Sequence, residues 1–328
     1  MPAAVSYGVA SAIEVRNLTK RFGSVVAVDD LSFDVPVGRI TGFLGPNGAG
    51  KTTTLRMLLG LVNATSGTAT FGGVPYRHLA RPPLQVGAVL EATSFHPGRR
   101  AIHHLRSVAL AAGIPTERAD QTLALVGLAD VARRRVGGFS LGMRQRLELA
   151  TALLGDPTVL ILDEPANGLD PQGIQWLRMF LRHQAATGRA VLVSSHLLAE
   201  MEETVDDVVI VSHGRLVLQT TLAELVQQAG SHGGMRVRTP EPDRLLEVLA
   251  ARHVAARQVE PGTVVVDGAT PEWIGPVLAH HQIVVHELTR QGSGLEDVFL
   301  SLTAGFDAAR PVAPTGGPVP GDLARGAP

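Results

Sequence analysis

Cysteine is absent from this chain of 328 residues, which excludes disulfide bonds, thiol nucleophiles and cysteine-ligated metal sites. Long hydrophobic runs are lacking as well. The longest stretch without a polar side chain runs from about Val108 to Pro115, whereas a membrane-spanning helix needs roughly 18–20 apolar residues. The sequence therefore predicts that this chain does not itself cross a bilayer.

Neither sign of charge is in excess, because 29 lysine and arginine residues stand against 30 aspartate and glutamate residues, for a formal net charge of −1. A global positive field of the kind that attracts nucleic acid is therefore absent, and we expect no nucleic-acid partner. Residues 1–11 have neither a basic start nor a long apolar stretch, so they do not resemble a secretory signal. This predicts a protein that stays in the cytoplasm.

Hydrophobic residues make up 45% of the chain, which is enough for a sizeable core. After a short N-terminal arm (1–11), strands and helices alternate through residues 12–230, which predicts an α/β domain with a parallel sheet. A glycine, serine and histidine linker then leads into the order βαββαβ across 234–303, typical of a small α+β ferredoxin-like domain. The proline- and glycine-rich tail, 304–328, is expected to be disordered.

The clearest motif is a glycine-rich loop at residues 45–53, which follows an apolar strand and opens a helix, as G-x-x-x-x-G-K-[ST] loops do. Its glycines allow backbone N–H groups to face phosphate oxygens, and the helix N-terminus adds partial positive charge. Lys51, one of only two lysines, is predicted to reach the β- and γ-phosphates, and the Thr52 hydroxyl to ligate Mg²⁺. An incidental glycine-rich turn is the alternative. The predicted nucleotide-binding residues are Gly45, Pro46, Asn47, Gly48, Ala49, Gly50, Lys51, Thr52 and Thr53.

Two carboxylates follow the apolar run Val159 to Leu162, which has the pattern of a central parallel strand buried on both faces. Ligands bind at the carboxyl edge of such sheets. Asp163 is therefore predicted to hold Mg²⁺, and Glu164 to polarise the water that attacks a phosphate. An ordinary acidic turn after a strand is the alternative reading of these two residues.

Between these motifs lies the sequence Phe139-Ser140-Leu141-Gly142-Met143. It resembles the signature L-S-G-G-Q of the nucleotide-binding subunits of ABC transporters, in a variant similar to that of drug- and peptide-antibiotic exporters such as the daunorubicin- and bacitracin-resistance ATPases. The Ser140 hydroxyl and the Gly142 N–H, at a helix start, can hold a γ-phosphate. Taken alone, a serine before a helix is more often a simple N-cap.

The resemblance covers about Ile13 to Leu302 and implies a P-loop NTPase core, an antiparallel β part and a helical signature subdomain at 93–155. It also implies roles for four further residues. Phe22 would stack on adenine, with a packed core position as the alternative. Glu91 would take the place of the Q-loop glutamine near Mg²⁺, and Asp170 would lie in the D-loop at a dimer interface. His196 would be the switch histidine, which binds the γ-phosphate and orients the water of Glu164.

The family works as a head-to-tail homodimer, so the resemblance implies that ATP lies between the loop 45–53 of one copy and residues 140–142 of the other. A separate transmembrane permease would dock near Glu91 and the segment 93–138, placing the chain peripherally on the inner face of the membrane. The signature variant and the segment 295–299, LEDVF, favour an exporter. The ATPase of an importer, or a soluble ABC ATPase of translation or DNA repair, remains an alternative.

Overall fold

The computed structural model describes residues 11–90, 95–231, 234–291 and 299. The strands, in chain order, are β1 (Ser11–Phe22), β2 (Val25–Pro36), β3 (Ile40–Leu44), β4 (Ser66–Phe71), β5 (Val86–Val89), β6 (Val159–Leu162), β7 (Ala190–Ser195), β8 (Asp207–Ser212), β9 (Arg215–Thr221), β10 (Gly234–Arg238), β11 (Ala256–Glu260), β12 (Thr263–Asp267) and β13 (Glu287–Gln291). The helices are α1 (Lys51–Leu58), α2 (Ala101–Ala111), α3 (Glu117–Leu125), α4 (Leu141–Ala152), α5 (Pro171–Ala186), α6 (Leu198–Met201), α7 (Leu222–Ser231), α8 (Pro242–Ala250) and α9 (Pro271–His280).

A six-stranded sheet forms the centre of the protein, with the strand order β5-β6-β7-β3-β8-β9. Its first five strands are parallel, and every residue of β3, β6, β7 and β8 is buried. The continuous apolar runs of the sequence therefore do correspond to strands covered on both faces, as predicted. The fold class, α/β with a parallel sheet, is confirmed.

Strand β9 was not predicted from the sequence. In the structure it pairs antiparallel with β8. The two strands are joined by His213 and Gly214, both with positive φ (48° and 79°), which is the backbone of a tight hairpin turn. Most of β9 is only half-buried, so its side chains give no clear alternation between apolar and polar positions.

An antiparallel sheet of three strands, β2-β1-β4, is the antiparallel β part that the resemblance implies. It shares a core with the central sheet, in which the Phe33 and Phe43 rings stack at 5.2 Å. Helices α2, α3 and α4 contact one another and bury Leu105, Leu123 and Leu147 completely. These helices confirm the helical part, whereas its limits at 93 and 155 stay predictions.

The C-terminal strands form a separate four-stranded sheet in the order β11-β12-β10-β13, with antiparallel neighbours throughout. Together with α8 and α9 this is the ferredoxin-like arrangement that βαββαβ predicts. Met235, Val264 and Ile274 belong to its own hydrophobic core. Residues 1–10, the tail 304–328 and all of the predicted helix 295–302 except Phe299 lie outside the described residues, and Ser11 already belongs to β1.

One further observation concerns membranes: none of the helices in the described part of the chain is both long and apolar enough to cross a bilayer.

An ion pair between a half-buried arginine and a fully buried aspartate fixes the start of β3 to β8. Arg39 donates from Nε to Asp207 Oδ2 at 2.6 Å and from a terminal nitrogen to Oδ1 at 2.8 Å, and the Asp207 side chain is 0% exposed. Without Arg39, the buried Asp207 carboxylate has lost the positive charge that it pairs with. We therefore expect Arg39→Ala to lower the free energy of unfolding by about 3 kcal/mol, measured by chemical denaturation. Arg16→Ala, which breaks the exposed pair with Asp34, is the matched control and should cost under about 1 kcal/mol; equal losses would contradict the expectation.

Candidate functional site

The candidate site lies at the carboxyl ends of three strands of the central sheet. Gly45 follows β3, Asp163 follows β6 and His196 follows β7. Because β7 pairs with both β3 and β6, these three ends are neighbours. This is the edge at which parallel α/β sheets bind ligands.

The loop between β3 and α1 passes very close to other backbone segments. Gly50 has φ +96°, and a Cβ placed on it would lie 2.4 Å from the carbonyl oxygen of Ala27. A Cβ on Gly45 would lie 2.4 Å from the carbonyl oxygen of Val211. These two positions require glycine. The first turn of α1 holds no acidic residue, so the partial positive charge of its N-terminus is available to an anion.

Lys51, which opens α1, is buried and folds back over the loop. Its Nζ donates to the carbonyl oxygen of Gly45 at 2.7 Å and lies 3.3 Å from Glu164 Oε1. The next residue, Thr52, donates its hydroxyl to Asp163 Oδ2 at 2.8 Å. The glycine-rich loop and the acidic strand end, predicted separately from the sequence, are therefore in direct contact.

Ser194, at the end of β7, was not singled out in the sequence and connects the two acidic residues. Its hydroxyl donates to Asp163 Oδ1 and accepts a hydrogen bond from the backbone N–H of Glu164 at 2.9 Å. His196 Nδ1 lies 2.9 Å from Glu164 Oε2. Glu164 itself has φ +48°, a left-handed conformation that is uncommon for a side chain of this kind. Such backbone conformations cluster at functional sites.

The residues present fit a magnesium ion. Thr52 and Asp163 supply a hydroxyl and a carboxylate, which are hard oxygen ligands, and Mg²⁺ commonly binds one or two carboxylates together with water and substrate phosphates. Within the described ranges no cluster of three His, Cys, Asp or Glu side chains could form an all-protein cage. Glu91, the third predicted metal ligand, lies outside the described residues.

A pocket of about 340 Å³ lies over the loop and is the size of a small-molecule site. Its lining includes most of the predicted phosphate loop together with Glu164 and His196: Ala27, Asn47, Gly48, Ala49, Gly50, Lys51, Thr52, Thr53, Glu164, Asn167 and His196. Predicted binding and catalytic residues therefore share one pocket. Asn167 was missed, because nothing in the sequence marks it as different from an ordinary loop residue.

Phe22 lies at the end of β1 and is 50% exposed, so the alternative of a packed core position is wrong. The ammonium group of Lys20 lies 4.7 Å from the centre of its ring. An exposed aromatic face is what stacking on a base requires, and the predicted contact with adenine stays a prediction.

The signature residues lie at the start of α4. Ser140 is the N-cap of this helix, and its hydroxyl accepts from the N–H of Met143 at 3.2 Å. Leu141 is exposed, and the first two residues of α4 lie beside Gly168 and Leu169. The simple N-cap reading is thus correct for Ser140, while its exposed position leaves it accessible to a second molecule.

Asp170 caps α5 by accepting a hydrogen bond from the N–H of Gly173 at 2.7 Å. This local role explains an aspartate before the proline that opens the helix. The contact with nucleotide or a second copy that the resemblance implies stays a prediction.

Comparison with known proteins shows what this chain is similar to. A family model described as "ABC transporter" matches residues 28–167, and one described as a domain of unknown function matches 233–296. The bacitracin transport ATP-binding protein BcrA of Bacillus licheniformis is 44% identical over 209 residues, which cover 62% of this chain and 68% of that protein. The Nod factor export ATP-binding protein I of Burkholderia orbicola is 35% identical over 300 residues, covering 89% of this chain and 96% of that protein.

A solved structure of an ATP-binding subunit of an ABC transporter has a TM-score of 0.60 and 29% identity, and the match covers 67% of this chain and 94% of that one. The resemblance first noted in the motifs is thereby confirmed, both for the fold and for the family. With a phosphate loop, an acidic strand end and a signature in the order typical of ATP-hydrolysing cassettes, the chain belongs to the ATP-binding proteins of ABC transporters.

Proposed function

We propose that this chain is the ATP-hydrolysing subunit of an exporter, that a separate permease carries the transported compound, and that MgATP joins two copies of the chain head to tail. The observation that carries the proposal is the continuous set of contacts from Lys51 through Glu164 to His196, beside the Thr52–Asp163 pair. These are the groups that phosphoryl transfer to water requires, and all of them except Asp163 line one pocket.

In this proposal each group has a distinct task. The loop 45–53 binds the phosphate chain through its backbone N–H groups, and Lys51 carries the positive charge that faces the β- and γ-phosphates. Thr52 and Asp163 hold Mg²⁺, which when bound neutralises negative charge on the phosphate oxygens. Glu164 orients and polarises the attacking water and accepts its proton. His196, whose Nδ1 contacts Glu164, has Nε2 left to face the γ-phosphate.

The second copy enters the proposal because of where the signature lies. The Ser140 hydroxyl accepts a hydrogen bond from Met143 of its own helix. Leu141 and Gly142 lie beside Gly168 and Leu169, in the segment that leads into α5, and none of these contacts is with the phosphate loop. The Ser140 hydroxyl and the N-terminus of α4 still form a site for an anion. A head-to-tail pair brings the signature of each copy to the nucleotide of the other, so that both ATP molecules are enclosed.

Export and a separate permease rest on the relatives and on the signature variant. Two relatives are named for bacitracin transport and for Nod factor export. This chain reads Ser140-Leu141-Gly142-Met143 where the family usually has S-G-G-Q. The permease would hold the chain at the inner face of the cell membrane, docked near Glu91 and the segment 93–138. ATP hydrolysis would release the contacts that hold the dimer closed, and this change of state would drive the permease.

The natural lack of cysteine permits a direct test of the head-to-tail arrangement, because a single introduced cysteine is the only thiol present. One chain carries Asn47→Cys in the phosphate loop and another carries Leu141→Cys in the signature. Both positions are exposed. Both chains also carry Glu164→Gln to slow hydrolysis. When they are mixed with MgATP and a short bis-maleimide, we expect a cross-linked dimer on a denaturing gel.

The matched controls are the two single-cysteine chains treated separately. A head-to-tail dimer brings residue 47 near residue 141 of the other copy, not near its own counterpart, so each chain alone should stay uncross-linked. Cross-linking should also need ATP and fail with ADP, because ADP lacks the γ-phosphate that the signature binds. Equal cross-linking of one variant with itself, or of the mixture without nucleotide, would refute this geometry.

A further inference from the structure

The start of α4 is attached to the segment that leads into α5 along one face of the helix. Gln145 donates its amide to the carbonyl oxygen of Asn167 at 2.8 Å. One turn earlier on the same face, a Cβ placed on Gly142 would lie 3.4 Å from Leu169 Cδ2. The signature helix and the segment 167–170 therefore lie in van der Waals contact within one chain.

The next residue on this face, Arg146, makes a contact of a different kind. Its guanidinium lies 4.0 Å from the centre of the Trp176 ring on α5. That ring is itself stacked on Phe180, with centroids 5.0 Å apart and planes 20° from parallel. Burial lowers the pKa of the Arg146 guanidinium, and the nearby Asp170 carboxylate opposes this shift. A cation over tryptophan is the strongest of the cation–π pairs.

The contact between Arg146 and Trp176 borders a large cavity. This cavity of about 920 Å³ is bordered by Thr52, Asp163 and Glu164 and also by residues of α4 and α5, among them Arg146 and Trp176. Side chains that border this cavity have no protein neighbours on that side. The Arg146–Trp176 contact joins α4 to α5 beside this cavity, so it is one of the contacts that fix the orientation of α4 relative to the catalytic carboxylates.

We propose that Arg146 and Trp176 are positioning residues: their contact holds the signature helix in a fixed orientation relative to residues 167–170, so that Ser140 and Gly142 meet the nucleotide of the other copy already aligned. This inference rests on the proposed function. Neither residue lines the smaller pocket over the phosphate loop, although both border the larger cavity that Thr52 and Glu164 also border. Their contribution is to reduce the loss of conformational freedom when the dimer closes, which strengthens binding without adding a contact to ATP.

The test uses the full chain carrying Glu164→Gln and measures the dimer dissociation constant in saturating MgATP by analytical ultracentrifugation. Arg146→Met removes the cation and keeps a long apolar side chain, whereas Trp176→Leu removes the ring. Each should weaken the dimer roughly threefold to thirtyfold, the range for a cation–π contact of about 0.7–2 kcal/mol. Binding of a fluorescent ATP analogue by the monomer, at protein concentrations below the dimer range, should change less than twofold.

Conservative replacements separate positioning from simple packing. Arg146→Lys keeps a cation and Trp176→Phe keeps an aromatic ring. Each should therefore weaken the dimer less than the harsher variant at the same position. The double variant Arg146→Met with Trp176→Leu should weaken the dimer no more than the worse single variant, because both changes remove the same contact. If the harsh variants fail to fold, as judged by thermal unfolding, the same cycle is run with Arg146→Lys and Trp176→Phe.

Several results would overturn the inference. Fully additive effects in the double variant would show that the two residues act independently. Equal losses in conservative and harsh variants would indicate a packing role only. A parent Glu164→Gln chain that dimerises normally, with variants that dimerise equally well, would overturn this inference alone. A parent that stays monomeric in MgATP would overturn the proposed function, and this inference with it.

Discussion

Lys51→Ala is expected to lower ATP turnover by roughly 100-fold to 1,000-fold or more, the usual cost of removing a preorganised charge from a reacting centre. Two losses add in this variant. The ammonium that faces the phosphates disappears, and so does the 2.7 Å hydrogen bond from Nζ to the carbonyl oxygen of Gly45 that braces the loop. The measurement is steady-state phosphate release at saturating MgATP, together with nucleotide binding by the same variant.

The matched control is the same substitution at the only other lysine of the chain. Lys20 is the other lysine of the chain; its ammonium donates to the carbonyl oxygen of Asn63 at 2.7 Å and lies over the exposed ring of Phe22. Lys20→Ala loses only exposed contacts, so turnover should stay within roughly threefold of the wild type. Wild-type turnover in Lys51→Ala would show that the nucleotide binds elsewhere.

The phosphate loop could be predicted from the sequence because its requirements are local. Gly48 and Gly50 have φ of +80° and +96°, a conformation that favours glycine wherever it occurs. The strand before the loop and the helix after it also follow from the neighbouring residues. For the same reason the bounds of β6 agree with the sequence prediction, because a continuous apolar run carries its own signal.

Contacts that depend on strand pairing could not be predicted in this way. Ser194 lies 31 residues from Asp163, and the two meet because Leu162 pairs with Val193 in the parallel register of β6 and β7. No local pattern in the sequence encodes that register. The contact between Arg146 and Trp176 was missed for a similar reason. A tryptophan on an amphipathic helix is expected to pack in the core, and its cationic partner lies on another helix.

Glu164→Gln is expected to slow hydrolysis by roughly 100-fold to 10,000-fold, the range for loss of a general base, while ATP binding persists. Glutamine has nearly the same size and retains an oxygen that can accept hydrogen bonds between Lys51 and His196. It cannot take up the proton of the attacking water. The substitution also removes a negative charge 3.3 Å from Lys51 Nζ, which favours the anionic γ-phosphate. ATP should therefore accumulate uncleaved in a stable dimer.

Light scattering coupled to size exclusion would detect this dimer in MgATP, with ADP as the comparison. Glu203→Gln is the matched control, since it makes the same chemical change in an exposed carboxylate paired with Arg178, and it should turn over ATP like the wild type. Only the γ-phosphate distinguishes the two nucleotides, so a dimer that forms in ATP and not in ADP is held by that group. A dimer of equal strength in ADP would mean that cleavage of the terminal phosphate does not separate the copies, and the proposed link between hydrolysis and transport would lose its physical basis.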